Sequence, residues 1–143
     1  MITLNKIKFI FQELILFLIG GMFYFAIETL WRGFSHSSMF LLGGICFLLI
    51  GGLNNIYKGL SLIQQMIISS IIITFLELIF GIYLNLILKL NIWDYSNMPF
   101  NFLGQICPVF SIIWFFLSLL GIYIDDEIRY IVFKEDKPKY KWW

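Results

Sequence analysis

Residues 66–88 read MIISSIIITFLELIFGIYLNLIL, and this stretch decides the fold. About 20 predominantly apolar residues suffice for a helix to cross the roughly 30 Å hydrocarbon core of a bilayer. The stretch reaches that length with one charged residue, Glu77. It does not alternate apolar and polar residues, as a membrane barrel strand would. A continuous apolar run in lipid must pair its backbone groups internally, which a helix does within the segment.

Three more stretches have the same character. LILFLIGGMFYFAIETLW spans about residues 14–31, SSMFLLGGICFLLIGGL about 37–53, and a fourth about 104–124. The second is near the lower limit of about 17 residues for a crossing, so it reads as a short, untilted span or as a partly re-entrant one. The chain is therefore expected to be all-α: a polytopic four-helix transmembrane bundle over residues 1–124, followed by a juxtamembrane tail over 125–143.

Composition agrees. Of 143 residues, 60% are hydrophobic, 20% are aromatic and 13% are charged, too few charges to coat a soluble domain. A net charge of +1 offers no basic face for nucleic acid. Cys46 and Cys107 lie in apolar sequence without a CxxC spacing, and read as small buried hydrophobes. With one histidine and no HExxH or Cys/His cluster, no metal or cofactor is expected. The first apolar stretch follows Lys6 and Lys8, yet it outruns a signal-peptide core of about 7–15 residues and lacks a small-x-small cleavage site. It reads as a retained span.

Four spans put both termini on one side. That side carries Lys6, Lys8, Lys58, Arg129, Lys134, Lys137, Lys139 and Lys141, while the other carries Arg32 and Lys89. The positive-inside bias makes the first side cytoplasmic and predicts a multi-pass protein of the cell membrane. Gly20 and Gly21 in span one, with Gly43, Gly44, Gly51 and Gly52 in span two, predict close helix packing; a hinge in span two is the alternative. The tail DDEIRYIVFKEDKPKYKWW interleaves lysines with aromatic rings, which suits a headgroup layer or a docking site for a cytoplasmic partner.

Candidate functional residues are the polar ones at membrane depth, where a charge costs roughly 3 kcal/mol on insertion scales. Glu28, Arg32 and His36 follow at i, i+4, i+8, with Glu preceding Arg in the favourable order for a helical ion pair. They form either a lock on the end of span one or a substrate or ion site. Glu77 sits near the middle of span three, with Gly81 and Asn85 on its stripe. It is either a neutral carboxyl bonded to another helix or a proton- or cation-handling group. In the third connection, Asp94 and Ser96 can cap turns. Alternatively, Asp94, Asn101 and Gln105 face Arg32 and His36 across an outer vestibule.

These same residues carry a family pattern. ELIFGIYLN (77–85), WDYS (93–96), PFNFLGQIC (99–107) and Trp114, preceded by ETLWRGFSHSSM (28–39) and Gly43-Gly44, resemble the CmpB-like "putative ABC-transporter type IV" membrane proteins. That family in turn resembles the animal transmembrane protein 229. The resemblance covers about residues 15–120 and implies a small helical bundle of permease type, with no catalytic residues to carry over. Pro108 departs from the aliphatic residue usual at that point, which bears on where span four starts. The chain has no GxxxxGK[ST] loop, so an ABC role would need a separate ATPase.

The function expected is a permease-like or transport subunit with an intramembrane carboxylate path for a small ion or solute. The expected partners are the lipid bilayer and either further copies of the chain or a separate membrane or ATPase subunit. Two alternatives stand beside it. One is a membrane enzyme acting on a lipid-linked substrate at the outer face, with His36 as acid/base beside Asp94 or Glu28. The other is a non-catalytic scaffold that recruits a partner through its tail.

Overall fold

In the computed structural model, which describes residues 3–143, four helices follow one another and no strand forms among the described residues. Met1 and Ile2, the start of the expected four-span region, lie outside the described residues. Helix α1 is Leu4–Arg32, α2 is Ser37–Ile56, α3 is Leu62–Gly81 and α4 is Pro108–Ile131. All four are long and apolar enough to cross a membrane, counting α3 through to Ile87. The second helix is unbroken over its 20 residues, about 30 Å at the usual rise, and Gly43, Gly44 and Gly51 pack closely against α1 and α4.

Local chemistry sets the helix ends. Gly33 ends α1 in a left-handed conformation, with φ 82°, and its N–H bonds Thr29 O, the αL cap that glycine permits without strain. Ser61 and Gln64 form a reciprocal capping box at the start of α3. Helix α4 starts at Pro108 rather than near Gly104. Cys107 is extended, as the residue before proline tends to be, and Pro108 takes the first helical position, where its missing N–H costs nothing. At its other end α4 runs past Ile124, so Asp125–Ile131 belong to the helix.

Helices α1 and α2 make the most extensive contact in the bundle. A Cβ on Gly21 would stand 2.7 Å from Phe40 O, and one on Gly44 would stand 2.8 Å from Phe17 O. The two backbones touch because no side chain intervenes, as small residues allow in lipid.

Past Gly81 the third helix widens into a π-helical stretch, Ile82–Ile87, closed by Leu88 N–H to Tyr83 O at 2.9 Å. Lys89 and Asn91 then adopt positive φ, turning the chain into the long connection to α4. That connection folds back on the bundle, burying Ile92, Trp93, Gln105 and Cys107. We call this the cap end and the opposite one, where α1 begins and α4 finishes, the terminal end. At the terminal end, residues 132–143 also return to the bundle. The carbonyls of Lys141 and Trp142 accept from the N–H groups of Leu62 and Ile63, at 2.6 and 3.2 Å. These amides are among those that a helix start leaves without intrahelical partners.

Candidate functional site

Polar side chains gather at two places. At the cap end Glu77, 4% exposed, accepts from Tyr95 Oη at 2.8 Å on one oxygen and from Trp114 Nε1 at 3.1 Å on the other. The Tyr95 ring stacks on Phe110, with centroids 4.5 Å apart. Burial, followed by the nearby Glu77 carboxylate, pushes the Tyr95 phenol above its ordinary pKa, which keeps it a donor.

One turn beyond Gly81, Asn85 donates to Gln105 Oε1 at 2.8 Å and accepts the Ile92 N–H at 2.7 Å. Gln105 donates to Leu103 O at 3.0 Å, and its own carbonyl receives Trp93 Nε1 at 3.0 Å. A Cβ on Gly81 would fall 2.9 Å from Gln105 Cβ. The gap in the Glu77–Gly81–Asn85 stripe is thus filled by Gln105.

Asp94 is exposed and caps the turn through Ser96, accepting its N–H at 2.9 Å and its hydroxyl. These bonds hold the Asp94 carboxyl below its ordinary pKa. Asn101 bonds the carbonyls of Ser96 and Met98, at 3.1 and 2.9 Å, and accepts the Gly104 N–H at 3.0 Å. Both residues stitch the loop to itself rather than face a vestibule.

Glu28 and Arg32 form the ion pair that their spacing predicts, at 2.6 Å. Arg32 also donates to Ile92 O at 2.8 Å, and Ser35 donates to Glu28 at 3.2 Å. The pair therefore ties the end of α1 to the cap-end loop. His36 does not extend the stripe, because the helix has stopped at Gly33. It is the exposed N-cap of α2, taking the Ser38 N–H at 3.2 Å and lying 2.7 Å from the Ser38 hydroxyl. Among the described residues no carboxylate bonds it; its hydrogen bonds go to Ser38.

The terminal end holds a cluster that sequence reasoning missed. Asp125, Asp126 and Arg129 are 0%, 3% and 4% exposed, although they read as the solvated end of a span. Arg129 pairs with Asp125 at 2.8 Å and with Glu13 of α1 at 2.8 Å. Asp126 accepts from Asn54 of α2 at 2.8 Å and from Tyr140 of the returning tail at 2.6 Å. Gln65 of α3 donates to Asn54 at 2.7 Å. The one legible signal was the Asp125–Arg129 spacing of i, i+4; the partners on other helices leave no local mark. Among the described residues, no group of three His, Cys, Asp or Glu side chains could hold a metal ion, and Cys46 and Cys107 are free and buried.

Residues 15–142 match the family described as "Putative ABC-transporter type IV", and the chain belongs to that family. No curated protein and no solved structure matches it. The four apolar helices fit a multi-pass membrane protein.

Proposed function

We propose that this member of the "Putative ABC-transporter type IV" family is a transport-type membrane subunit whose polar path follows the interior face of α3. One observation carries the reading. At successive i+4 steps, Gln65, Ser69, Ile73, Glu77, Gly81 and Asn85 are all buried, and four of the six are polar. From Gln65 to Asn85 the rise is roughly 30 Å, the thickness of the hydrocarbon core. Buried polar groups at membrane depth are costly and mark ion or substrate pathways by default.

Glu77 is the midplane station of this path, for a proton or a small cation. Tyr95 is its gate on the cap side, since the phenol occupies a Glu77 oxygen and must leave for anything to reach the carboxylate from there. Glu28, Arg32, Asn85 and Gln105 line or brace that mouth, and Asp94 and Asn101 hold the loop that carries Tyr95. His36 stays outside, as a helix cap. The termini face the cytoplasm of the cell membrane, by the excess of lysine at that end. Any ATP-driven role draws on a separate ATPase. Four short helices enclose little volume, so a complete path forms between copies or with a partner subunit.

The test is flux into proteoliposomes, followed with a pH-sensitive dye while the cation is varied. Wild type conducts, and Glu77→Gln abolishes flux while the protein stays folded. Tyr95→Phe, which frees one Glu77 oxygen, raises flux or shifts its pH dependence. Absence of flux from folded wild type, alone and with co-purifying subunits, overturns the reading.

A further inference from the structure

Residues 132–143 do not leave the bundle after α4. The Glu135 N–H bonds Arg129 O at 3.0 Å, and the carbonyls of Lys141 and Trp142 accept the Leu62 and Ile63 amides at 2.6 and 3.2 Å. Between these points Tyr140 turns inward. Its hydroxyl donates to Asp126 at 2.6 Å, and its ring meets Tyr123 edge to face, with centroids 4.7 Å apart. Half-buried Pro138 stiffens the approach to Tyr140, because its ring fixes φ. The tail is therefore a strap, fastened to α4 at one end and to the start of α3 at the other.

The fastening sets its depth. Leu62 is the first residue of a segment, Leu62–Ile87, that is long and apolar enough to cross a membrane. A length of chain bonded to the first two amides of that segment lies where hydrocarbon gives way to headgroups. The pinned carbonyls and Tyr140 face the bundle, and the neighbouring side chains face out. Lys139 and Lys141 are exposed, and Trp142 and Trp143 are 52% and 90% exposed. Lys58, also exposed, stands in the α2–α3 connection four residues before Leu62.

Charge on the strap is one-sided. Lys137 is held by Glu127, and Glu135 approaches Arg129 at 3.8 Å. Among the described residues no carboxylate pairs with Lys58, Lys139 or Lys141. Cations beside exposed indole rings match one environment. Tryptophan rings sit at the headgroup level, and basic juxtamembrane segments are drawn to anionic lipid. An acidic cytoplasmic protein would satisfy the lysines but not the depth, because the strap lies in the plane of the headgroups rather than beyond it.

We infer that the strap is a binding site for an anionic phospholipid. Lys139 and Lys141 take its phosphate, and Trp142 and Trp143 pack against its interfacial region. The lipid then holds the strap on α3 from outside, as Tyr140 holds it from within. The inference does not depend on transport, because it is read from stability rather than from flux.

The experiment is thermal unfolding of the full chain in mixed micelles of constant total lipid, with phosphatidylglycerol replacing phosphatidylcholine. We expect Tm to rise saturably with phosphatidylglycerol, since a ligand that binds only the folded state stabilises it. Lys139→Gln combined with Lys141→Gln raises the half-saturating mole fraction about tenfold. Both side chains are exposed, so the fold tolerates the change. Lys6→Gln combined with Lys8→Gln removes the same charge from the same end, on α1 and outside the strap, and leaves the half-saturating fraction unchanged. Equal Tm in the two lipids overturns the site. So does a response that the strap variant leaves intact, or one that both double variants weaken equally, which would reflect the charge of the whole end. A rise reproduced by inorganic phosphate in pure phosphatidylcholine, at equal ionic strength, assigns the lysines to a free anion and overturns it too.

Discussion

The two ends of the bundle solve the same problem differently. At the cap end, both oxygens of Glu77 and every polar group of the Asn85–Gln105 pair find partners, nearly all of them neutral. At the terminal end charged groups of α1 and α4 meet neutral partners from α2, α3 and the tail, and three polar atoms there or one turn inward stay unpaired. A saturated neutral network fixes a shape. An unsaturated charged one stores an unmet demand, because low dielectric strengthens paired groups and penalises unpaired ones alike. The difference separates the part of the molecule that holds the loop from the part where buried charge is concentrated.

The contrast can be broken most directly at Arg129. Arg129→Met keeps volume but leaves the buried Asp125 and the half-buried Glu13 without a counter-charge, and we expect a loss of about 3–5 kcal/mol. Chemical denaturation in detergent measures it. Asn85→Ala at the cap end removes one acceptor and one donor from neutral partners, for a smaller loss of about 1–3 kcal/mol. If Asn85→Ala costs more than Arg129→Met, the ranking of the two ends is reversed. Glu28→Gln comes next, at about 0.5–1 kcal/mol, because Arg32 is partly exposed and screened. Its effect should shrink in high salt, whereas that of Asn85→Ala should not.

The smallest effect is that of pH on the cap-end loop. Asp94 has a folded pKa below its ordinary value, which is near 3.9. Its turn-stabilising contribution is therefore fully present above about pH 4 and is lost as pH falls through the depressed value. Proteolysis of residues 88–107 should accelerate only in that acid range, and Asp94→Asn should remove the dependence. An onset nearer neutrality would mean that another group controls the loop.

Much of this was legible in the chain. The apolar runs announced four helices, and the Glu28–Arg32 spacing announced its pair. The glycines of α1 and α2 announced a close contact. These features depend on residues a few positions apart or on hydropathy alone. The N-terminal turns of α1 and the last two turns of α4 were missed because Lys6, Lys8, Asp125 and Asp126 interrupt the apolar signal without interrupting the helix. The π-helical stretch has no compositional mark, since Ile82, Tyr83, Leu84 and Asn85 suit an α-helix as well. Orphaned and paired groups at the terminal end were illegible for a different reason. Glu13, Asn54, Gln65 and Tyr140 each meet their partners across the bundle, and each alone looks like an ordinary polar residue at a span boundary. The tail read as a surface anchor or docking site because nothing local shows that its carbonyls return to α3.

The Glu13–Arg129 pair also has a bearing on how the protein is made. The two residues are separated by 116 positions, so a ribosome adding about 5–20 residues per second delivers the arginine roughly 6–23 s after the glutamate. Through that interval the first helix carries an acidic group whose mate does not yet exist. Chains that stop short of α4 never gain that partner, so the Glu13 contact exists only in copies whose last helix has been made.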